Sequence, residues 1–224
     1  MNISIIIPAY NEEKQIPSTL HSLRTYPLPG TVELIVVDDG SSDLTSSVSR
    51  IWADRVIRLD DNRGKGFALQ KGLEIATGDS ILFIDADLGD SASMAHHLVR
   101  TMEQEQADLV IATFPPPKKR GFGLVKKWAQ KKLEKNVGYS PVSPLCGQRI
   151  LNRKAIEAID QWDCGFGIEM AMLFDVYKAG LKVTEVPIPF SHRETKKDLS
   201  GFLHRGKQFI EIRKTVKQWK KECT

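Results

Sequence analysis

The sequence is poor in the features that mark specialised chains. Its three cysteines, Cys146, Cys164 and Cys223, are odd in number and unpaired in spacing. That argues against a disulfide framework or a zinc site and fits free thiols in a reducing compartment. No apolar run reaches the roughly 18 residues of a spanning helix. The opening Met1-Asn2-Ile3-Ser4 runs straight into a strand, without the charged-then-apolar order of a signal peptide. A cytoplasmic setting is therefore expected. Low-complexity runs and internal repeats are missing too, and the net charge is a mild +4. No nucleic-acid partner is expected, yet Lys and Arg crowd 118–135 and 193–221, and such local basic stretches suit phosphates or an anionic membrane surface.

What is present is alternation. Apolar strands are expected over residues 3–7 (closed by Pro8), 33–37, 56–59, around 81–84 and 108–113. Helical periodicity falls between them: Ile16, Leu20 and Leu23; Leu44, Val48 and Ile51; a helix through Ala76; and Met94, Leu98 and Met102 within 92–105. This predicts an α/β fold, a mostly parallel sheet flanked by helices in a single domain over 1–224. The second half is less regular. A Pro- and Gly-rich loop at 114–123 leads into a basic helix to about Val137, then an extended segment 143–150, a short helix after Asn152, a helix from Glu169 to Lys178, a strand over 181–187 and a closing helix over 199–219.

The chemistry centres on Ile84-Asp85-Ala86-Asp87, where a buried strand stops at two carboxylates. Positions two apart on an extended segment face the same way, so Asp85 and Asp87 are expected to converge at the sheet's carboxyl edge. Converging carboxylates repel unless a cation lies between them, and a hard ion such as Mg²⁺ or Mn²⁺ carrying nucleotide phosphates suits that role. A lone Asp-x-Asp also arises in ordinary turns. The polar loops Asn11-Glu12, Asp38-Asp39 and Arg63-Gly64-Lys65 follow three other strands, and in a parallel sheet they share the same edge.

Together with Ile7-Pro8-Ala9-Tyr10-Asn11-Glu12, Val36 to Asp43, Asn62 to Gly66, Gly147-Gln148-Arg149, Gly165 to Met170 and Glu185 to Ile188, these residues give the chain a pattern that resembles a family 2 glycosyltransferase of the GT-A (Rossmann-like) fold. The branch it is similar to holds dolichyl-phosphate mannosyltransferases and glucosyl-3-phosphoglycerate synthases. The resemblance implies a UDP- or GDP-sugar donor bound by residues 1–113 and an acceptor met by 114–224. Pro8, Tyr10 and Glu12 would line the base and ribose pocket, Asp39 would accept from the base, and Lys65 would lie near donor phosphate or sugar. Asp85-Ala86-Asp87 would flank the metal, with Asp87 ligating it and His192 completing the set. The arginine that the mannosyltransferases carry after the fifth strand is replaced by Phe114, leaving Arg120, Arg149 or Arg193 as candidate phosphate contacts.

For the reaction, Asp85 is expected to hold the sugar, and Glu169, at a helix start facing the site, to serve as base if the acceptor is a hydroxyl. An ionised phosphate acceptor needs none. Acceptors in view are a polyprenyl phosphate, a phosphorylated small molecule or a cell-envelope intermediate, with peripheral contact at the inner membrane face through the basic helices. A sugar-phosphate nucleotidyltransferase would share the sheet and carboxylates but would carry a Gly-rich basic loop after the first strand. A non-catalytic nucleotide-sugar-binding module would lack the metal or base residues.

Overall fold

The computed structural model describes residues 1–114, 123–191, 210–217 and 219. Among these described residues seven strands form one sheet: β1 (Asn2–Ala9), β2 (Thr31–Asp38), β3 (Arg55–Arg58), β4 (Ser80–Phe83), β5 (Leu109–Thr113), β6 (Arg149–Asn152) and β7 (Val183–Pro187). Their order is β3-β2-β1-β4-β6-β5-β7. All pairings are parallel except those of β6, which runs antiparallel between β4 and β5. The helices are α1 (Ile16–Thr25), α2 (Thr45–Ser49), α3 (Lys65–Ile75), α4 (His96–Glu105), α5 (Gly123–Val137), α6 (Arg153–Glu157) and α7 (Ile168–Lys178). Further helical residues lie at 210–217.

The core follows from the unbroken apolar strands. Ile5, Ile6 and Ile7 are all fully buried, as are Ile81, Leu82, Leu109, Val110 and Ile111. Consecutive residues on a strand point to opposite faces, so both faces of the central sheet are covered. β6 and β7 join the sheet begun by the first 113 residues, so the two halves of the chain share it. Because β1 to β4 run parallel, the loops after them emerge at one edge, as the sequence suggests. Among the described residues no helix is long and apolar enough to cross a membrane.

Four local expectations change. Pro8 does not close β1 but lies inside it, paired with Val37 of β2. The ladder to β4 ends at Ile6 and Phe83, so there is no paired neighbour on that side to need the missing N–H. The α2 face is only partly as expected: Val48 packs half-buried on the core, but Leu44 and Ile51, just outside the helix, are 63% and 71% exposed, while Thr45, Ser46 and Ser49 are buried. Their hydroxyls are satisfied: Thr45 Oγ1 accepts from the Glu12 N–H at 2.8 Å, Ser46 donates to Asp38, and Ser49 donates to the Thr45 carbonyl at 2.7 Å. The segment 143–150 is extended only from Arg149 onward. Finally, the 92–105 helix begins as a tighter 3₁₀ stretch at Gly89–Ala95.

Candidate active site

The first two loops at the carboxyl edge are laced together. Asn11, at φ 56°, donates its N–H to Ser41 Oγ at 2.9 Å and accepts the Ser42 N–H on Oδ1 at 2.9 Å. The Leu44 N–H donates to Glu13 Oε2 at 3.1 Å. This lacing presents Tyr10, 48% exposed, beside half-buried Pro8 and Glu12. Asp39 is buried and accepts the Arg63 and Gly64 N–H groups, one on each oxygen, at 2.8 Å. Burial holds its pKa above the ordinary carboxylate range despite those two amides. Gly64 is required there, since its φ of 93° is a conformation L-residues avoid.

Lys65, the first residue of α3, forms the electrostatic centre. Its Nζ lies 2.8 Å from Asp85 Oδ1 and 2.9 Å from Glu169 Oε1. Burial alone would lower the lysine pKa, but the two carboxylates outweigh it and push it well above its ordinary value. Asp85 is held a second time, by the Gln148 amide donating to Oδ2 at 2.6 Å. Gln148 is fully buried and its Oε1 accepts from the Cys146 thiol at 3.3 Å. The thiol itself is pushed up to about 12 by burial, which keeps it protonated and able to donate. Gly147 leaves room for this cluster, because a Cβ there would lie 2.4 Å from Lys65 Nζ and 3.0 Å from both Asp85 oxygens.

Asp85 and Asp87 do not lie on a strand, so alternation does not orient them. β4 ends at Phe83 and residues 86–87 form a turn. That turn is set by Thr19 of α1, whose hydroxyl donates to the Ala86 carbonyl at 2.7 Å and accepts the Gly89 N–H at 2.9 Å. Ala86 is buried beneath it, and Asp85 and Asp87 are both half-buried at the rim.

Arg149 is not at the rim. It is 1% exposed, its Nε and Nη2 donate to the Cys146 carbonyl and its Nη1 to the Glu169 carbonyl at 3.2 Å. The expectation of a donor-phosphate contact from Arg149 is therefore corrected. A guanidinium spent on carbonyls at the floor of the site joins the β6 entry to α7 instead. Burial lowers its pKa, against the raising influence of Glu169 and other nearby anions. His192, Arg193 and Arg120 lie outside the described residues. Among the described residues no three His, Cys, Asp or Glu side chains cluster as metal ligands. Gln148 and Thr19 were not singled out in the sequence. Gln148 stood inside a recognisable motif, whereas nothing marked Thr19, which contacts its turn from 67 residues away.

A family model described as glycosyl transferase family 2 matches residues 4–175. The chain belongs to this family. Glycosyltransferase AglD of Haloferax volcanii is 28% identical over 236 residues, covering 94% of this chain and 36% of that protein. Dolichyl-phosphate beta-glucosyltransferase ALG5A of Trichomonas vaginalis is 24% identical, covering 94% of this chain and 72% of that one. Glucosyl-3-phosphoglycerate synthase of Mycobacterium tuberculosis, solved with Mn²⁺, UDP and phosphoglyceric acid, superposes with a TM-score of 0.79 at 25% identity, covering 96% of this chain and 77% of that one. The fold is thus of the GT-A type that the sequence resembled. The family 2 chain described here spans only 36%, 53% and 54% of the first three curated relatives.

Proposed function

We propose that this chain, as one domain, moves a hexose from a UDP- or GDP-sugar to an acceptor phosphate, with a polyprenyl phosphate as the favoured acceptor class. The observation that carries the reading is the Lys65 ammonium held between Asp85 and Glu169 at the sheet edge where such folds bind ligands. The printed activities of the relatives, a dolichyl-phosphate glucosyltransferase and a UDP-binding glucosyl-3-phosphoglycerate synthase, support the same class.

Each group has a physical task in this reading. Pro8, Tyr10 and Glu12 would meet the base and ribose, with Asp39 as an acceptor for a base N–H through its remaining lone pairs. Asp85, oriented by Lys65 and Gln148 with one donor on each oxygen, would accept from sugar hydroxyls on its remaining lone pairs, and the direct metal contact would fall to Asp87. A rim carboxylate beside a diphosphate makes a hard, all-oxygen donor set, which fits Mg²⁺ or Mn²⁺. Such an ion, when bound, supplies charge neutralisation for the departing diphosphate. Lys65 adds a fixed positive charge next to that group.

The Lys65 pair also bears on the acceptor. Glu169, 7% exposed, has its Oε1 engaged by Lys65 Nζ at 2.9 Å, so to act as a base it must first give up that contact. A hydroxyl acceptor would need Lys65 to move aside; a phosphate oxygen, already ionised at pH 7, would not. Exposed lysines on α5 (Lys126, Lys127, Lys131) and the exposed Arg213, Lys214 and Lys217 support peripheral contact with an anionic membrane that holds such an acceptor.

The test is direct. With Mn²⁺ and UDP-glucose, GDP-mannose or other sugar nucleotides, nucleoside diphosphate release is measured with a short polyprenyl phosphate or with 3-phosphoglycerate as acceptor, and products are weighed by mass spectrometry. A polyprenyl-phosphate-linked hexose is expected. Glycosylation of 3-phosphoglycerate alone would overturn the acceptor assignment. Pyrophosphate release from a nucleoside triphosphate and a sugar phosphate would overturn the whole reading.

A further inference from the structure

We propose that the helical segment 210–217, outside the 4–175 stretch matched by the family model, is a positioning element of the site that sets the Lys65–Glu169 pair through Thr215 and Glu211. The kinetic part of this rests on the transferase reading above; the geometric part does not.

The segment is fixed to the body by one face. Ile212, Thr215 and Val216 are buried, while Ile210, Arg213, Lys214 and Lys217 are exposed. Just beyond it, Trp219 stacks on Phe174 of α7 at 4.4 Å, and its indole N–H donates to Asp175 Oδ1 at 2.9 Å. A helix anchored in this way has little freedom to withdraw from what it touches.

It touches the turn that precedes Glu169. A Cβ at Gly167 would lie 1.9 Å from Thr215 Oγ1 and 2.7 Å from its Cβ, and one at Gly165 would lie 2.5 Å from Glu211 Oε2. The same stretch of chain presses on the loop carrying Lys65. A Cβ at Gly66 would lie 2.0 Å from the Trp162 carbonyl oxygen, and one at Gly64 would lie 3.5 Å from the Gly165 Cα. Three layers, 64–66, 162–167 and 211–215, thus meet with a glycine at each contact. Such close-packed contacts transmit displacement rather than absorbing it. Lys65 sits between Gly64 and Gly66, and Glu169 follows Gly167 by two residues, so the outer layer governs the separation of the pair.

Gly167→Ala is a clean probe, since φ −89° and ψ −6° at this residue suit alanine and the three atoms nearest the new Cβ all belong to Thr215. Its expected result is a fall in turnover of about tenfold to a hundredfold, with donor KM little changed because the lacing of the first two loops is untouched. Accessibility of Lys65 to acylation, read by mass spectrometry against exposed Lys131, should rise several-fold. Adding Thr215→Ala, which removes the hydroxyl at 1.9 Å and the methyl and leaves the Cβ at 2.7 Å, should move both turnover and Lys65 labelling back toward wild type. Should Gly167→Ala fail to fold, Thr215→Ala alone is expected to raise Lys65 labelling, and unchanged labelling there overturns the proposal. It is likewise overturned if Gly167→Ala only lowers Tm, leaving turnover and Lys65 labelling at wild-type values below the transition. Labelling needs no catalysis, so a wild-type chain inert toward sugar nucleotides would sink the transferase reading and leave this one decided on its own.

Discussion

Carboxylates stand at both edges of the same sheet, and their partners differ. At the amino edge, Glu33 Oε1 accepts from the Ser4 hydroxyl at 2.5 Å and from the Thr77 N–H and hydroxyl at 2.6 and 2.8 Å. Asp108 there accepts from the Asn152 amide at 2.8 Å and the Lys182 N–H at 2.9 Å. These partners are mostly backbone groups and short hydroxyls that the fold itself delivers, so the bonds hold structure. At the carboxyl edge Asp85 and Glu169 share one lysine at the end of a four-carbon stem. That partner can be exchanged for a ligand, whereas a backbone amide cannot. The amino-edge bonds therefore serve the fold alone, whereas on the proposed transferase reading the Asp85 and Glu169 charges could also be handed to a substrate, unlike Asp39, which takes two backbone amides.

The largest expected effect lies at the carboxyl edge. Asp87→Ala should lower metal-dependent turnover by about 1,000-fold, and thermal-shift titration with Mn²⁺ and nucleoside diphosphate should lack the stabilisation expected of the wild type. Equal stabilisation in both proteins would remove Asp87 from the metal site. Lys65→Met should come next. It leaves Asp85 and Glu169 without their shared cation, so turnover should fall about 100-fold and stability by about 3 kcal/mol, measured by denaturant unfolding. A variant as stable as wild type would show that the pair is not structurally important.

At the amino edge the pattern should reverse. Glu33→Gln should cost about 1 kcal/mol with kcat and KM unchanged. Its pH dependence gives a sharper version. Burial alone would raise the Glu33 pKa, but the Ser4 and Thr77 bonds and Arg55 override it, and the net value is lowered. A depressed carboxylate stabilises the fold above its unfolded pKa of about 4.3 and loses that contribution as pH falls through the folded value. The Tm difference between wild type and Glu33→Gln should therefore shrink on acidification below about pH 4, and a constant difference would contradict the assignment. The smallest effect is expected at Leu44→Ser, within about 0.5 kcal/mol. Its neighbour Thr45→Val, which orphans the Glu12 N–H, should cost about 1–2 kcal/mol. The reverse ranking would restore the apolar α2 face that the sequence suggests.

The strands were legible because unbroken apolar runs have one good solution, a sheet covered on both sides, and the loops could be assigned to one edge because parallel strands leave no alternative. That Asp39, Lys65, Asp85 and Asp87 lie at this edge was legible for the same reason; their roles there remain part of the proposal. α2 was misread in part because helical periodicity counts apolar side chains and cannot see that Thr45 meets the Glu12 N–H, Ser46 meets Asp38 and Ser49 bonds back to the Thr45 carbonyl. Arg149 was misread because a charge near a site looks like a ligand contact until its carbonyl partners are seen.

The sequence by itself determined the sheet, its working edge and the kinds of charge gathered there, since these depend on local pattern and strand direction. Only the tertiary structure decided which charge meets which. The Lys65–Asp85–Glu169 triad, the Gln148 anchor, the Thr19-held turn and the Thr215 contact join residues from 20 to 104 positions apart. Those distances are closed by packing, which carries no signature along the chain.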